Sequence, residues 1–512
     1  MYSEIMSAIL EGIDSVLVRV ETDISDGMPV FEMVGYLSSE VKESKERVRT
    51  ALKNSGISLP VKRITVNFSP ANIRKSGSGF DLPITVGILI GMGILPKENC
   101  RDVLVVGEMS LDGDVIPING ILSMVAKAKE EGIKHCIIPK GNAKEASLIT
   151  GITCYPVEHL SEVIELLNLD EDKRDSFLYE DNKAVEEYIE KTFDFDMISG
   201  QKFVKRACEV AASGMHNLLL IGPAGSGKTM MARCIPSILP PMTEKEQLEL
   251  SKIYSVAGLF KNRSSLMTQR PFRNPHHTIS TIGLTGGGSR DIKPGEITLA
   301  HCGVLFLDEF LEFTKSSIEI LRQPMEDRVI NITRNKGNYT FPADFMLVAA
   351  TNPCKCGYFP DLNRCTCTSA SIERYLGKMS GPMLDRIDIT AETPQMDFES
   401  LVNGEKGESS KDIKKRVITA TQIQKERFKG TSIRFNSAIP SSRIEEFCQL
   451  SKKDEQYMKD VYENLDLSAR SYFKILKVAR TLADMDESKN IETRHLKESV
   501  FYRSIDKKFW ER

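Results

Sequence analysis

Nothing in this chain is long and apolar enough to enter a bilayer. The longest uncharged, mostly apolar run, Leu82 to Leu95, has 14 residues and three glycines, short of the ~20 residues that a spanning helix needs. The segment Met1–Met6 lacks the basic start of a secretory leader, so none is expected. There is no low-complexity tract and no repeat at the roughly 20–50-residue period of solenoids and propellers. Net charge is only −3 over 512 residues, so bulk charge announces no nucleic-acid partner. A disulfide framework is missing too. The 11 cysteines are odd in number and mostly scattered, which fits a reducing compartment and predicts a cytoplasmic protein.

The composition, 41% apolar and 27% charged, is that of a soluble globular protein. The length calls for about three domains. Residues 1–166 mix short β-like runs (Ser15–Val20, Arg63–Asn67) with helical stretches. Residues 167–194 form a linker dense in Asp, Glu and Lys between Asp170 and Lys191. Residues 195–398 alternate helices with short apolar strands, the pattern of a parallel α/β sheet. A second polar break covers Asn403 to Lys411. The segment 405–512 reads as helical, with Ser471–Ala483 its clearest amphipathic run. From Glu405 to Arg512 there are 24 Lys and Arg against 18 Asp and Glu, a balance of +6 that leaves −9 elsewhere. That block permits contacts to a phosphate backbone, and a solvated helical face explains it equally well.

The most informative stretch is Gly222-Pro223-Ala224-Gly225-Ser226-Gly227-Lys228-Thr229, preceded by the apolar run Asn217–Ile221 and followed by Met230–Cys234. Strand, glycine-rich loop and helix in this order fit the phosphate-binding P-loop. Backbone N–H groups turn inward around phosphate oxygens at the positive end of a helix. Lys228 is expected to reach the β- and γ-phosphates and Thr229 to hold Mg²⁺. The run 303–310 (GVLFLDEF) is a buried strand ending in two acids. Buried carboxylates are costly unless they meet a cation, so Asp308 is expected at Mg²⁺ and Glu309 beside the attacking water. A third strand, Phe345–Ala350, ends in Thr351-Asn352-Pro353, whose Asn352 amide can orient that water. Downstream, Arg386 and Arg470 are candidates for stabilising charge on the transferred phosphoryl group.

Two further clusters stand out. Cys354, Cys356, Cys365 and Cys367 form two C-x-C pairs eight residues apart, enough for a tetrahedral Zn²⁺ site, although C-x-C is tighter than the common C-x₂-C. Reduced cysteines in a flexible loop are the alternative. The pair His276-His277 reads as structural before it reads as a metal site. The segment Asp327–Thr340 reads as a β-hairpin with Arg334 and Lys336 near its tip.

Together, GPAGSGKT, GVLFLDEF, VAATNPC, SGPMLDRID and LSARSYFKILKVARTLAD resemble the magnesium-chelatase-like AAA+ ATPases, and within them the ComM/YifB type, over nearly the whole chain. The resemblance implies Walker A at Lys228 and Thr229, and Walker B at Asp308 and Glu309. It places sensor 1 at Asn352, an arginine finger at Arg386 and sensor 2 at Arg470. Gly200-Gln201 matches the adenine-side segment. A hexameric ring with ATP at the subunit interfaces follows, with two insertions facing its pore: 271–288 and the hairpin carrying Arg334 and Lys336, which can grip a phosphate backbone. The C-terminal segment is then a helical lid.

Segments 67–82, 106–118 and 132–140 resemble the Lon-protease domain, a ribosomal S5 domain 2-like α+β fold. The Ser-Lys dyad of that family is not matched. Ser78 lies in the turn Gly77–Asp81, but Asn119–Val125 holds no lysine, and a serine without a base is a poor nucleophile. A non-proteolytic scaffold is expected. The fold class is thus α/β, with a Lon-like domain, a P-loop AAA+ core and a helical C-terminal domain. The resemblance implies an ATP-dependent motor acting on single-stranded or branched DNA, driving branch migration in homologous recombination and natural transformation. A magnesium-chelatase motor subunit, a protein-remodelling ATPase and an ATP-dependent protease are the rivals.

Overall fold

The computed structural model describes residues 1–179, 193–260, 263, 265–288, 292–334, 337–395 and 407–510. Part of the expected linker (180–192) and residues 396–406, which include the start of the second polar break, lie outside the described residues, as does Lys336.

The N-terminal domain is a seven-stranded mixed sheet. Strands β1 (Tyr2–Glu11) and β2 (Asp14–Ser25) form a hairpin in register from Tyr2 opposite Asp23 to Glu11 opposite Asp14. Strands β3 (Val30–Val34), β4 (Arg63–Ser69), β5 (Val103–Val105), β6 (His135–Pro139) and β7 (Thr153–Val157) complete the order β3-β4-β2-β1-β5-β6-β7. The helices are α1 (Ser39–Asn54), α2 (Asp81–Gly91), α3 (Ile121–Glu130) and α4 (Leu160–Asn168). The long apolar run noted in the sequence is mostly α2, whose 11 residues are all buried. Each large aliphatic side chain sealed there contributes about 1.5–3 kcal/mol, so the run is a domain core and not a membrane element. Beyond α4, Glu171–Phe177 forms a 3₁₀ helix that buries Arg174.

The central domain begins with α5 (Lys202–Gly214), β8 (Leu218–Ile221), α6 (Lys228–Ile238) and α7 (Glu244–Val256). Strands β9 (Phe272–Arg273) and β10 (Val304–Leu307), the hairpin β11 (Val329–Arg334) and β12 (Gly337–Pro342), β13 (Met346–Thr351), helix α8 (Ser369–Leu376) and β14 (Ile389–Glu392) follow. The sheet order is β9-β10-β13-β8-β14, every pair parallel. Its inner strands β10, β13 and β8 are fully buried and almost wholly apolar, as expected where helices cover both faces. Parallel strands point one way, so the C-terminal ends of β8, β10 and β13 open at one edge of the sheet, where ligands bind in such folds.

The C-terminal helices are α9 (Ser410–Arg427), α10 (Lys452–Asn464), α11 (Ala469–Met485) and α12 (Thr493–Trp510). Helix α11 opens where expected, with Ser468 Oγ capping Ser471 N. These helices do more than cover: Ile413, Val417, Val478, Leu482 and Tyr502 join one core with β8, β10 and β13. The N-terminal domain docks through the β1–β2 turn, whose Ile13 sits in the apolar core of the central domain. Leu248 and Leu266 reciprocate by packing on the core around α3. Gly120 N donates to Ser255 O at 3.2 Å, and Lys252 pairs with Asp14 at 3.7 Å.

Candidate functional site

The P-loop runs from the end of β8 to the start of α6. Gly225 and Gly227 hold φ of +75° and +83°, a backbone that L side chains rarely adopt. A Cβ on Gly225 would meet nothing within 4 Å, so the loop faces open space. The loop is pinned from below by β14, where Thr393 N donates to Ile221 O at 2.8 Å and the Ser226 and Thr393 hydroxyls pair at 2.9 Å.

Lys228 is nearly buried and turned back on the loop. Its Nζ donates to Gly222 O and Pro223 O, both at 2.8 Å, and to Asn352 Oδ1 at 3.1 Å. Burial pulls this ammonium down to about 8, partly offset by the Asp308 carboxylate. Thr229 Oγ1 donates to Asp308 Oδ2 at 2.7 Å. The expected Mg²⁺ ligands from α6 and β10 are therefore in direct contact, although 79 residues apart in sequence. Asp308 Oδ1 accepts from Glu309 N at 2.9 Å. Glu309 itself has φ of +50°, a backbone strain of the kind that clusters at functional sites.

Gln201 precedes α5 in a left-handed conformation, and its Nε2 donates to Ser226 O at 2.9 Å. Its Oε1 is buried and has no hydrogen-bond partner. An unpaired buried acceptor beside a P-loop suits the exocyclic amine of an adenine. Lys228, Thr229, Asp308 and Gln201 thus fit ATP·Mg²⁺.

The sequence did not place His277 here. Its Nδ1 lies 3.4 Å from Glu309 Oε2, and its ring sits 4.1 Å from that of His276. His277 is thus paired with Glu309, a contact that no spacing in the sequence signals.

Arg386 and Arg470 are not drawn to this cluster. Arg386 donates to Arg322 O at 3.0 Å, to Pro382 O at 2.7 Å and to the Glu326 carboxylate. Arg470 reaches the same Glu326 at 3.3 Å. Among the described residues neither hydrogen-bonds to the P-loop, Asp308, Glu309 or Asn352 within its own chain. Their placement follows from Asp388, a buried carboxylate that accepts from Lys474 of α11 at 2.6 Å and from Asn217 N at 2.8 Å. These bonds hold segment 380–388 against α11, which brings the two arginines together. Arg386 lines one cleft with Glu319, Gln323, Glu326 and Asp327, and Arg470 reaches that Glu326.

The hairpin tip carries Arg334 opposite Gly337 across its register. The four cysteine sulfurs lie within 4.8 Å of one another. In the N-terminal domain, Ser78 Oγ donates to the Glu108 carboxylate, and no lysine is among its partners. Asp81, buried beneath, is held by Arg47 through bonds of 2.7 and 2.9 Å.

Three family models cover most of the chain: magnesium chelatase, subunit ChlI over residues 194–401, subunit ChlI of Mg-chelatase over 20–142, and its C-terminal part over 407–503. Competence protein ComM of Haemophilus influenzae is 39% identical over 96% of both chains. The chain belongs to the ComM/YifB-type magnesium-chelatase-like AAA+ ATPases. The uncharacterized protein YifB of Escherichia coli is also 39% identical, over 97% of this chain and 96% of its own. The N-terminal region matches the archaeal Lon protease of Thermococcus kodakarensis at 28% identity, over 30% of this chain and 25% of that one. The AAA+ family implies ATP and Mg²⁺ as cofactors. No helix among the described residues is long and apolar enough to cross a membrane.

Proposed function

We propose that this protein is the ATP-driven motor of a cytoplasmic hexameric ring that moves single-stranded or branched DNA, driving branch migration in homologous recombination and natural transformation. The observation that carries the motor is the direct contact of Thr229 with Asp308 beneath a glycine loop that also holds Lys228 and Asn352. Bound Mg²⁺ neutralises phosphate charge. Thr229 and Asp308 would hold it, Lys228 would exchange the Gly222 and Pro223 carbonyls for phosphate oxygens, and Gln201 Oε1 would accept from the base. Glu309, steadied by His277, polarises the attacking water, which Asn352 orients. Arg386 and Arg470 serve the nucleotide of a neighbouring subunit, which is supported by their lying together on Glu326 and away from their own P-loop. Structural zinc at Cys354, Cys356, Cys365 and Cys367 completes the cofactor set.

DNA as the substrate rests on near-full-length similarity to a protein named for competence, and on the hairpin whose register ends at Arg334, with Lys336 two residues on in sequence. The chelatase descriptions extend to residues 20–142, so the N-terminal domain alone does not separate the two readings. The experiment does. Hydrolysis should rise with DNA at low salt and lose that stimulation steeply as salt increases. Branched DNA should be remodelled only with ATP. Arg334→Ala with Lys336→Ala should keep basal hydrolysis and lose the stimulation. Assembled, ATP-hydrolysing protein that binds no DNA at any salt would overturn the substrate, leaving chelatase or protein remodelling. For the shared active site, Arg386→Ala should bind ATP and lose about a thousandfold in turnover. Mixing it with Lys228→Ala subunits should recover part of that activity.

A further inference from the structure

The loop after β13 departs from the rest of the central domain. Residues 353–368 contain turns but no helix or strand, an uncommon length for an irregular connection inside a packed domain. It carries four cysteines. Cys354 Sγ lies 3.3 Å from Cys356 Sγ and 3.7 Å from Cys365 Sγ, and Cys356 and Cys365 are 3.5 Å apart. Cys367 completes a set in which every sulfur is within 4.8 Å of the others. A tetrahedron with Zn–S bonds of ~2.3 Å has sulfur–sulfur edges of about 3.8 Å. The sulfurs are thus gathered at the spacing of a tetrathiolate and far beyond the ~2.05 Å of a disulfide. Phe359 N donates to Cys354 Sγ at 3.4 Å, the kind of backbone contact that orients a metal ligand. Four thiolates around a divalent ion leave a net charge of about −2, and Lys355 and Arg364 flank the ligands in sequence.

A second cluster, Glu249, His301 and Cys302, makes a useful contrast. Arg434 already occupies it, with Nη2 3.1 Å from Glu249 and Nη1 3.3 Å from the Cys302 sulfur. A guanidinium is its cation. Among the described residues no side-chain cation bonds to the four-cysteine cluster.

The loop reaches the nucleotide site on two sides. Cys354 follows Asn352 by two residues, and Asn352 Oδ1 accepts from Lys228. Gly357, at φ +85°, lies against the P-loop: a Cβ there would stand 3.4 Å from Ala224 N and 4.0 Å from Pro223 Cα. The far side of the loop is anchored to distant elements. Phe359 packs edge-on against Phe509 of α12 with centroids 6.2 Å apart. Arg364 stacks 4.2 Å over the Tyr358 ring and donates to Gln395 at 2.7 Å.

We propose that Cys354, Cys356, Cys365 and Cys367 bind one Zn²⁺ whose purpose is to brace the nucleotide site: the ion holds Gly357 against Pro223 and Ala224 and fixes the strand end that bears Asn352, so that metal occupancy sets nucleotide affinity. The proposal rests on the reading of the P-loop as the ATP site. The metal performs no chemistry. It replaces the regular secondary structure that the loop lacks.

The test uses the full-length protein. Elemental analysis should find about one zinc per chain. Chelator-stripped protein should take up Co²⁺ with the thiolate-to-metal absorption of a tetrahedral sulfur site. Binding of a fluorescent ATP analogue under non-hydrolysing conditions should weaken roughly tenfold on stripping, about 1.4 kcal/mol, and return with Zn²⁺. Gly357→Ala should keep its zinc yet weaken binding, because it disturbs the contact and not the ligands. Cys365→Ser with Cys367→Ser should lose both. Zinc near zero in freshly reduced protein, with no cobalt–thiolate band, would overturn the site. Stripped protein that binds the analogue as tightly as loaded protein would overturn the brace. Zinc-loaded wild type that binds no nucleotide would remove the P-loop reading and the brace together, while stoichiometry and the cobalt spectrum still decide the metal.

Discussion

Lys75 of the N-terminal domain and Lys228 of the AAA+ core are alike in their immediate chemistry. Both are nearly sealed from solvent, at 0% and 8% exposure, and both spend their ammonium on main-chain carbonyls. Lys75 donates to Pro70 O and Ile73 O, as Lys228 does to Gly222 O and Pro223 O. Burial depresses both. They differ in what can take the place of those carbonyls. Around Lys228 stand a second amide, a carboxylate–hydroxyl pair and a loop open to incoming phosphate. Around Lys75 the chain closes, with its own N–H bonded to Tyr36 O and its C=O to Ser38 N. Three residues on, Ser78 has turned to Glu108. A buried, satisfied lysine is therefore not itself a sign of function. Displaceable partners are.

The sharpest break of this comparison is to remove each lysine. Lys228→Ala should abolish measurable ATP turnover and cost on the order of a hundredfold in nucleotide affinity. Lys75→Ala should leave both unchanged in assembled protein, while two uncapped carbonyls lower stability by about 1–3 kcal/mol in a denaturant melt. Equal loss of nucleotide binding in both would erase the distinction. Glu309→Gln, which keeps the Lys228 cradle, should bind ATP normally and hydrolyse it ~10²–10⁴-fold more slowly.

A smaller effect comes from pH. Burial lowers Lys228 to about 8, and a bound phosphate favours its charged form. Affinity should hold steady below that value and fall as pH rises through it, by up to about tenfold per unit until the bound-state pKa is reached. Calorimetric titration across this range, above the pH at which the nucleotide phosphate has finished titrating, checks the sign. Affinity that rises with pH would contradict the assignment. Smallest of all is Ser78→Ala, which should change no peptidase signal because none is expected. ATP-dependent casein cleavage that disappears in this variant would restore the dyad.

The P-loop was legible because its chemistry is local: strand, glycines, lysine and helix follow one another within a dozen or so residues. The Asp308–Thr229 contact was legible one step further out, since two parallel strands of a single sheet must end at the same edge. Strands β2 and β4 showed through alternating runs, and α11 through its apolar face. The four cysteines converged as their ligand chemistry implied. Other features belong to tertiary contact alone. No pattern in the sequence brings His277 to Glu309, strands the Gln201 carbonyl in a buried spot, or places Arg386 and Arg470 on one carboxylate that lies 60 and 144 residues away from them. Charge counting was equally blind to the C-terminal helices, whose apolar residues build part of the core that reads from outside as a basic block.

Ile13 inside the central core changes what the charged connector between the domains has to do. The two bodies grip each other through the β1–β2 turn, Leu248 and Leu266, the Gly120–Ser255 bond and the Asp14–Lys252 pair. Their union does not depend on covalent continuity. A chain nicked between Tyr179 and Phe193, beyond the 3₁₀ helix that buries Arg174, should still migrate as one particle. The joint between the domains is the β1–β2 turn and its contacts.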